Sequence, residues 1–211
     1  MSLAEKLKLI VITDKKLRPN VVKSVEDALE GGATSIQLRL KDSPTREMHE
    51  LGRVVRRLTA EYGALYFVDD RLDVALSTNA DGVQLGPEDI PVDAAREIAP
   101  NLLIGASVYS LEEAVEAERR GANFLGAGSV FPTSSKSGVK VIGIEGLKRI
   151  VQLVSIPVVA IGGISIENAY QVLETGVAGI AVISAVMGAP DVKEATRALM
   201  SIINRKYKGM R

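Results

Sequence analysis

The sequence predicts an α/β fold, a single-domain (β/α)8 TIM barrel spanning residues 1–211, and three observations carry that expectation. Four segments repeat one pattern, a small residue or Gly-Ala step followed at once by an apolar strand: EGGATSIQLR from Glu30, STNADGVQLG from Ser77, RRGANFLGAG from Arg119 and ETGVAGIAVI from Glu174. Between them lie four further β-rich runs, LIVIT, ALYFV, LLIGA and PVVAI, beginning at Leu9, Ala64, Leu102 and Pro157. They are almost continuously apolar, as strands covered on both faces are. Eight strands in 211 residues leave about 26 residues per unit, enough for the smallest barrels of this class. A doubly wound open sheet is the alternative, but no dinucleotide fingerprint supports it. Gly126 and Gly128 lack the third glycine and run into Phe131-Pro132 rather than a helix. There is no Walker motif either.

The intervening stretches read as helices. Pro44 sits at an expected first turn before Met48, Leu51, Val54, Val55 and Leu58, a stripe at helical spacing. Ser110 followed by Glu113 makes a capping box ahead of a helix that Gly121 closes. Ser165 with Asn168 opens the next such helix and Gly176 ends it. The fifteen residues Ser129–Gly143 form the longest connection, rich in hydroxyls and holding Lys136 and Lys140, and they read as an active-site loop or lid.

Composition narrows the chemistry. Lys plus Arg number 26, as do Asp plus Glu, so the formal charge is zero and no broad positive field favours nucleic acid or an anionic membrane. The absence of cysteine removes thiolate nucleophiles and Cys-ligated metals, and one histidine, His49, leaves no His-rich zinc site and no serine-protease-like triad. The early apolar run Leu9–Ile12 is too short for a signal-peptide core, and no stretch reaches the length of a membrane span, so a cytoplasmic location is expected.

In a barrel the chemistry lies in the loops that follow the strand C-termini. Strand two ends in Gln37, Arg39 and Lys41, alternate residues that share one side. Strand three is followed by Asp69 and Asp70 and strand four by Glu88 and Asp89, carboxylates on one rim that suit a hard cation such as Mg²⁺. Strand five ends at Ser107, strand seven in Gly162-Gly163 and strand eight in Ile183-Ser184. Backbone N–H groups of the last two strand loops are the usual phosphate cradle of such barrels. Each feature has a plainer alternative: Arg39 and Lys41 as rim charges, Asp70 as a helix cap, the glycines as a tight turn. Asp81, at a strand's N-terminal end, is assigned to stability, and His49 to a solvated helix face. Because cations, carboxylates, hydroxyls and a glycine turn project from one face, a pocket for a Mg²⁺-bound polyphosphate plus a second phosphate is the economical reading.

These residues also resemble the thiamine-phosphate synthase family, over roughly Leu9 to Met187. Its QLR-x-K run is matched by Gln37, Leu38, Arg39 and Lys41, its N-D-R step by Asp69, Asp70 and Arg71, and its ADGVHLGQED by Ala80 to Asp89. Its G-x-S strand end is matched by Gly105 and Ser107, its FPT-containing loop by Gly128 to Lys136, and its IGGI and VISA runs by Ile161–Ile164 and Val182–Ala185. The resemblance implies an enzyme that joins hydroxymethylpyrimidine diphosphate to a thiazole phosphate and releases pyrophosphate, with Mg²⁺ on Asp70 and Asp89. Arg39, Lys41, Lys136 and Ser107 are then the expected catalytic groups. Gln37, Asp69, Thr133, Ser135, Gly163, Ile183 and Ser184 join them in binding the two small-molecule substrates. Leu40, Gln84 and Pro87 stand where the family often has Glu, His and Gln. Asp69 replaces the usual Asn, which exchanges an amide donor for a carboxylate beside an anionic substrate and raises three expectations for it: diphosphate contact, metal ligand, or helix cap. The rival readings are a thiazole tautomerase-like relative, weakened by Tyr109 in place of His and by the missing cysteine, a phosphosugar isomerase barrel, and a non-catalytic sensor of thiamine precursors.

Overall fold

Short apolar strands whose residues are mostly buried need cover on two sides, and a closed cylinder wrapped in helices supplies it. The computed structural model describes residues 2–133, 138 and 140–208. In chain order the elements are α1 (Leu3–Lys6), β1 (Leu9–Ile12), α2 (Val21–Glu30), β2 (Ser35–Leu38), α3 (Thr45–Glu61), β3 (Leu65–Asp69), α4 (Leu72–Ser77), β4 (Gly82–Leu85) and α5 (Val92–Ile98). They continue as β5 (Leu103–Val108), α6 (Leu111–Arg119), β6 (Phe124–Ala127), α7 (Gly143–Leu153), β7 (Val158–Ile161), α8 (Ala169–Leu173), β8 (Gly179–Val182), α9 (Ser184–Met187) and α10 (Val192–Lys208). The strands are parallel, pair in sequence order, and close with β1 against β8 through Leu9 opposite Ile180 and Val11 opposite Val182. The barrel expectation is met.

Alternation along each strand divides the apolar residues into two cores. Leu9, Val11, Ile36, Leu38, Tyr66 and Val68 face the helices, while Leu7, Ile10, Ile12, Phe67, Phe124, Val159 and Ala181 fill the barrel. Phe67 and Phe124 meet edge to face with centroids 5.3 Å apart. Glycine admits them: a Cβ at Gly82 would lie 2.6 Å from the Phe67 ring, and one at Gly105 would lie 2.4 Å from that of Phe124. Phe124 lines the floor of the cavity at the C-terminal mouth, and Phe67 packs against it in the barrel interior.

Local signals behave largely as the sequence suggests. The stripe on α3 buries Met48 and Val55, with Pro44 as its N-cap one position earlier than expected. Ser110 Oγ accepts from Glu113 N at 3.1 Å, but the Glu113 carboxylate reaches past the box to Tyr109 N at 2.6 Å. Gly121, at φ +94°, ends that helix. Before α8 the pairing is half a box: Asn168 Oδ1 accepts from Ser165 N at 2.8 Å and the helix proper starts only at Ala169. Asp81 accepts from Tyr66 N and pairs with Arg56, each at 2.7 Å, which agrees with its assignment to stability. His49 is part-exposed on α3, as its assignment to a solvated face expects, and its Nδ1 lies 3.1 Å from Ser77 Oγ of α4 in an exposed contact.

Candidate active site

The end of β2 sets the first part of the site. Thr13, buried just beyond β1, extends the β1–β2 ladder with its side chain: its Oγ1 accepts from Arg39 N at 2.9 Å and donates to Arg39 O at 3.0 Å. This holds the chain extended past the strand, and Gln37, Arg39 and Lys41 all reach the cavity at the C-terminal mouth. Arg39 lies between two carboxylates, Asp14 at 3.2 Å and Asp69 at 3.7 Å. Lys41 Nζ donates to Asp70 Oδ2 at 2.6 Å. Burial is the largest single influence on the Lys41 ammonium and draws its pKa down. The hydrogen bond and charge of Asp70, with the charge of Asp69, more than reverse this and leave it raised.

Asp69 and Asp70 diverge. Asp69 accepts from Gln37 Nε2 at 2.6 Å. Burial, then the charge of Asp70, pushes its carboxyl up to about 7, against the opposing pull of Lys41, Arg39 and the Gln37 amide. One expectation for Asp69 is corrected. Its oxygens are engaged by Gln37 and Arg39, and it does not cap α4, whose N-cap is Arg71 with no side-chain hydrogen bond; the same fact removes the capping role for Asp70. Asp70, at φ +64°, instead turns toward Lys41 and Asp89. The Asp89 carboxyl is raised, first by burial, then by the charge of Asp70 and a hydrogen bond to it, against a backbone hydrogen bond from Gly86 N at 2.6 Å. Two carboxylates brought together with only part of their charge offset have the donor chemistry that a hard divalent cation takes.

The opposite wall is backbone. Val130 N donates to Ile161 O and Phe131 N to Gly162 O, both at 3.0 Å, so the start of the long segment after β6 is pinned on the end of β7. That approach needs glycine: a Cβ at Gly162, where φ is +100°, would stand 2.1 Å from Ser129 Oγ. Gly163, Ile183, Ser184 and Thr133 complete this side of the cavity. Lys136 and Ser135 lie outside the described residues.

Ser107 lies deeper and its Oγ accepts from Gln84 Nε2 at 3.0 Å. Gln84 is buried and lies over glycines, since a Cβ at Gly105 would come within 2.2 Å of its Oε1. The sequence reading did not place Gln84 in the site, nor Asp14 against Arg39 behind it. A polar residue at the inward position of β4 is a readable signal, and so is the Thr13-Asp14 pair after β1 once the strand-end rule is applied to the first strand.

Together the barrel and its polar mouth define a (β/α)8 barrel with its chemistry at the strand C-termini. The chain belongs to the thiamine monophosphate synthase family, whose model matches residues 9–186. It is 70% identical to a thiamine-phosphate synthase of Pyrococcus abyssi over 203 residues, covering 96% of this chain and 98% of that one. A thiamine-phosphate synthase of Methanococcus maripaludis is 49% identical over 208 residues, 99% and 100% of the two chains. Among solved structures, the thiamine phosphate pyrophosphorylase from Pyrococcus furiosus superposes with a TM-score of 0.93 at 65% identity, covering 97% of this chain and 99% of that one. No described helix is long and apolar enough to cross a membrane.

Proposed function

We infer that this chain condenses hydroxymethylpyrimidine diphosphate with the thiazole phosphate to give thiamine phosphate and pyrophosphate, that Asp70 and Asp89 hold Mg²⁺ for this reaction, and that it acts in the cytoplasm. The observation that supports the site assignment is the meeting of Arg39, Lys41, Gln37 and Ser107 on one cavity, with the Asp70–Asp89 pair beside Lys41. Arg39 and Lys41 bind the diphosphate, and their hydrogen bonds strengthen as negative charge moves onto the departing oxygen. Lys136, assigned from the sequence motif, adds a third cation. Mg²⁺, when bound, supplies further positive charge at the leaving group. Gln37 and Ser107 orient the pyrimidine with an amide and a hydroxyl. Diphosphate departure leaves positive charge on the pyrimidine methylene, which the thiazole nitrogen attacks, so no protein nucleophile is needed. The apolar floor of Ile10, Ile12, Phe124 and Val159 keeps water from that carbon. Gly163, Ile183 and Ser184 take the thiazole phosphate, with Thr133 and Ser135 donating from the loop.

The test is turnover of both precursors with and without Mg²⁺, followed as thiamine phosphate and pyrophosphate. Product in Mg²⁺ and none in excess chelator is expected. Equal turnover in chelator would remove the metal from Asp70 and Asp89, and no product with any divalent cation would overturn the assignment.

A further inference from the structure

The connection between β1 and α2 runs outside the reacting centre, yet its side chains tie together the two anion-binding ends assigned above. Asp14 uses its two oxygens differently. Oδ2 receives Arg39 Nη1 at 3.2 Å, and Oδ1 accepts from Lys16 N at 2.9 Å and Leu17 N at 3.3 Å, folding the chain into a turn. Arg18 N closes that turn on Asp14 O at 2.9 Å. The Arg18 guanidinium then crosses to the far side of the barrel closure, where Nε donates to Met187 O at 3.0 Å and Nη2 to Ala189 O and Pro190 O. Met187 ends the four-residue α9 that begins at Ser184, and Ala189 and Pro190 follow it; Ile183 and Ser184 at the start of this segment line the cavity. The half-buried Arg18 cation thus satisfies the last carbonyl of α9 and two carbonyls of the chain that leaves it.

We propose that the Asp14–Arg18 turn is a positioning device for both anion subsites: Asp14 aims Arg39 at the diphosphate, and Arg18 holds the Ile183–Pro190 segment so that Ile183 and Ser184 meet the thiazole phosphate. Neither residue is a catalytic residue, because neither lines the cavity. The two act on different substrates, and that asymmetry distinguishes positioning from general support of the fold. Asp14→Asn keeps an oxygen for Lys16 N and Leu17 N but removes the charge facing Arg39. Arg18→Met keeps the aliphatic stem and removes every donor.

The inference rests on the assigned activity, so wild-type turnover with both precursors is measured first, and its absence would remove that reading and this one together. Given turnover, Asp14→Asn should raise KM for the pyrimidine diphosphate, and the inhibition constant for pyrophosphate, by roughly fivefold or more while leaving KM for the thiazole phosphate unchanged. Arg18→Met should do the reverse, and Arg18→Lys should restore part of the loss. Equal shifts in both KM values for either variant would mean general loosening and would overturn the inference, as would no shift in either. Tighter pyrophosphate binding in Asp14→Asn would make Asp14 a counter-charge that weakens the site, and overturns it too. Should Arg18→Met fail to fold, Arg18→Gln is the substitute, with the same directional expectation.

Discussion

Asp69 offers a test of the site's electrostatics that does not need substrate. Its carboxyl is displaced from an ordinary 3.8 to about 7, by burial first and by the charge of Asp70 second. The folded protein therefore holds a proton there at pH values where the unfolded chain has released it. The sign follows from proton counting: between about pH 4 and about 7 the folded state binds more protons, so stability falls as pH rises through that window and stays lower above it. At about 1.4 kcal/mol for each pH unit, the displacement corresponds to roughly 4 kcal/mol at pH 8. Asn cannot titrate. It retains an oxygen for the Gln37 amide, and Arg39 retains Asp14 at 3.2 Å.

Asp69→Asn should therefore gain stability relative to the wild type as pH rises, by up to roughly 4 kcal/mol between pH 4 and 8. Denaturant unfolding of both proteins without divalent cation, at several pH values in that range, reads this directly. Asp89 is also raised, by burial first, but it is present in both proteins and its titration largely cancels in the difference. A difference that is flat with pH, or that turns against the variant at high pH, would show that Arg39 and Gln37 hold Asp69 as a stable carboxylate and would refute the reasoning.

Three further outcomes are expected. Lys41→Ala should lower kcat/KM for the pyrimidine diphosphate at least tenfold, about 1.4 kcal/mol of lost transition-state stabilisation, measured by pyrophosphate release; unchanged kinetics would make Lys41 a partner of Asp70 only. Gly162→Ala places a Cβ 2.1 Å from Ser129 Oγ at φ +100° and should cost about 1–3 kcal/mol of stability together with most of the activity, checked by unfolding and turnover. Asp81→Ala removes the acceptor for Tyr66 N and the partner of Arg56, and should cost about 1–3 kcal/mol in unfolding while kcat/KM stays near the wild-type value.

The fold was legible because its signals are local and repeated. Each strand alternates inward and outward apolar residues, and the small-residue steps before β2, β4, β6 and β8, Gly-Ala in the case of β2 and β6, mark where helices end. Several polar and backbone-lined positions of the cavity were legible for a related reason, since Gln37, Arg39, Ser107, Gly163 and Ser184 each stand at or just after a strand end. What the sequence hid was pairing. Nothing in the Asp69-Asp70 step says that one carboxylate turns to Gln37 and the other to Lys41, because the left-handed backbone of Asp70, at φ +64°, sends the second away from the strand's own alternation. Arg18 was hidden because its partners lie about 170 residues away and are backbone carbonyls, which carry no side-chain signature.

Among the described residues, the two cations assigned to the diphosphate, Arg39 and Lys41, are already engaged. Arg39 faces Asp14 and Asp69, and Lys41 faces Asp70, so the mouth carries a mosaic of ion pairs rather than a positive funnel. That arrangement limits the penalty of keeping several charges in a half-buried pocket. On the proposed assignment a diphosphate would bind by exchange: Lys41 would divide its hydrogen bonds between Asp70 and the incoming oxygens, which would leave the Asp70–Asp89 pair short of positive charge. A pair of carboxylates in that condition is suited to a divalent cation, so the polyanion and the cation would each improve the other's site. Arg39 would be less affected by such an exchange, because Asp14 and Asp69 engage its Nη1 and Nε and a guanidinium carries further donors that could turn to a ligand. Holding Arg39 between Asp14 and Asp69 fixes its direction at the cost of some attraction, and the Asp69 carboxyl, displaced toward neutrality, reduces that cost.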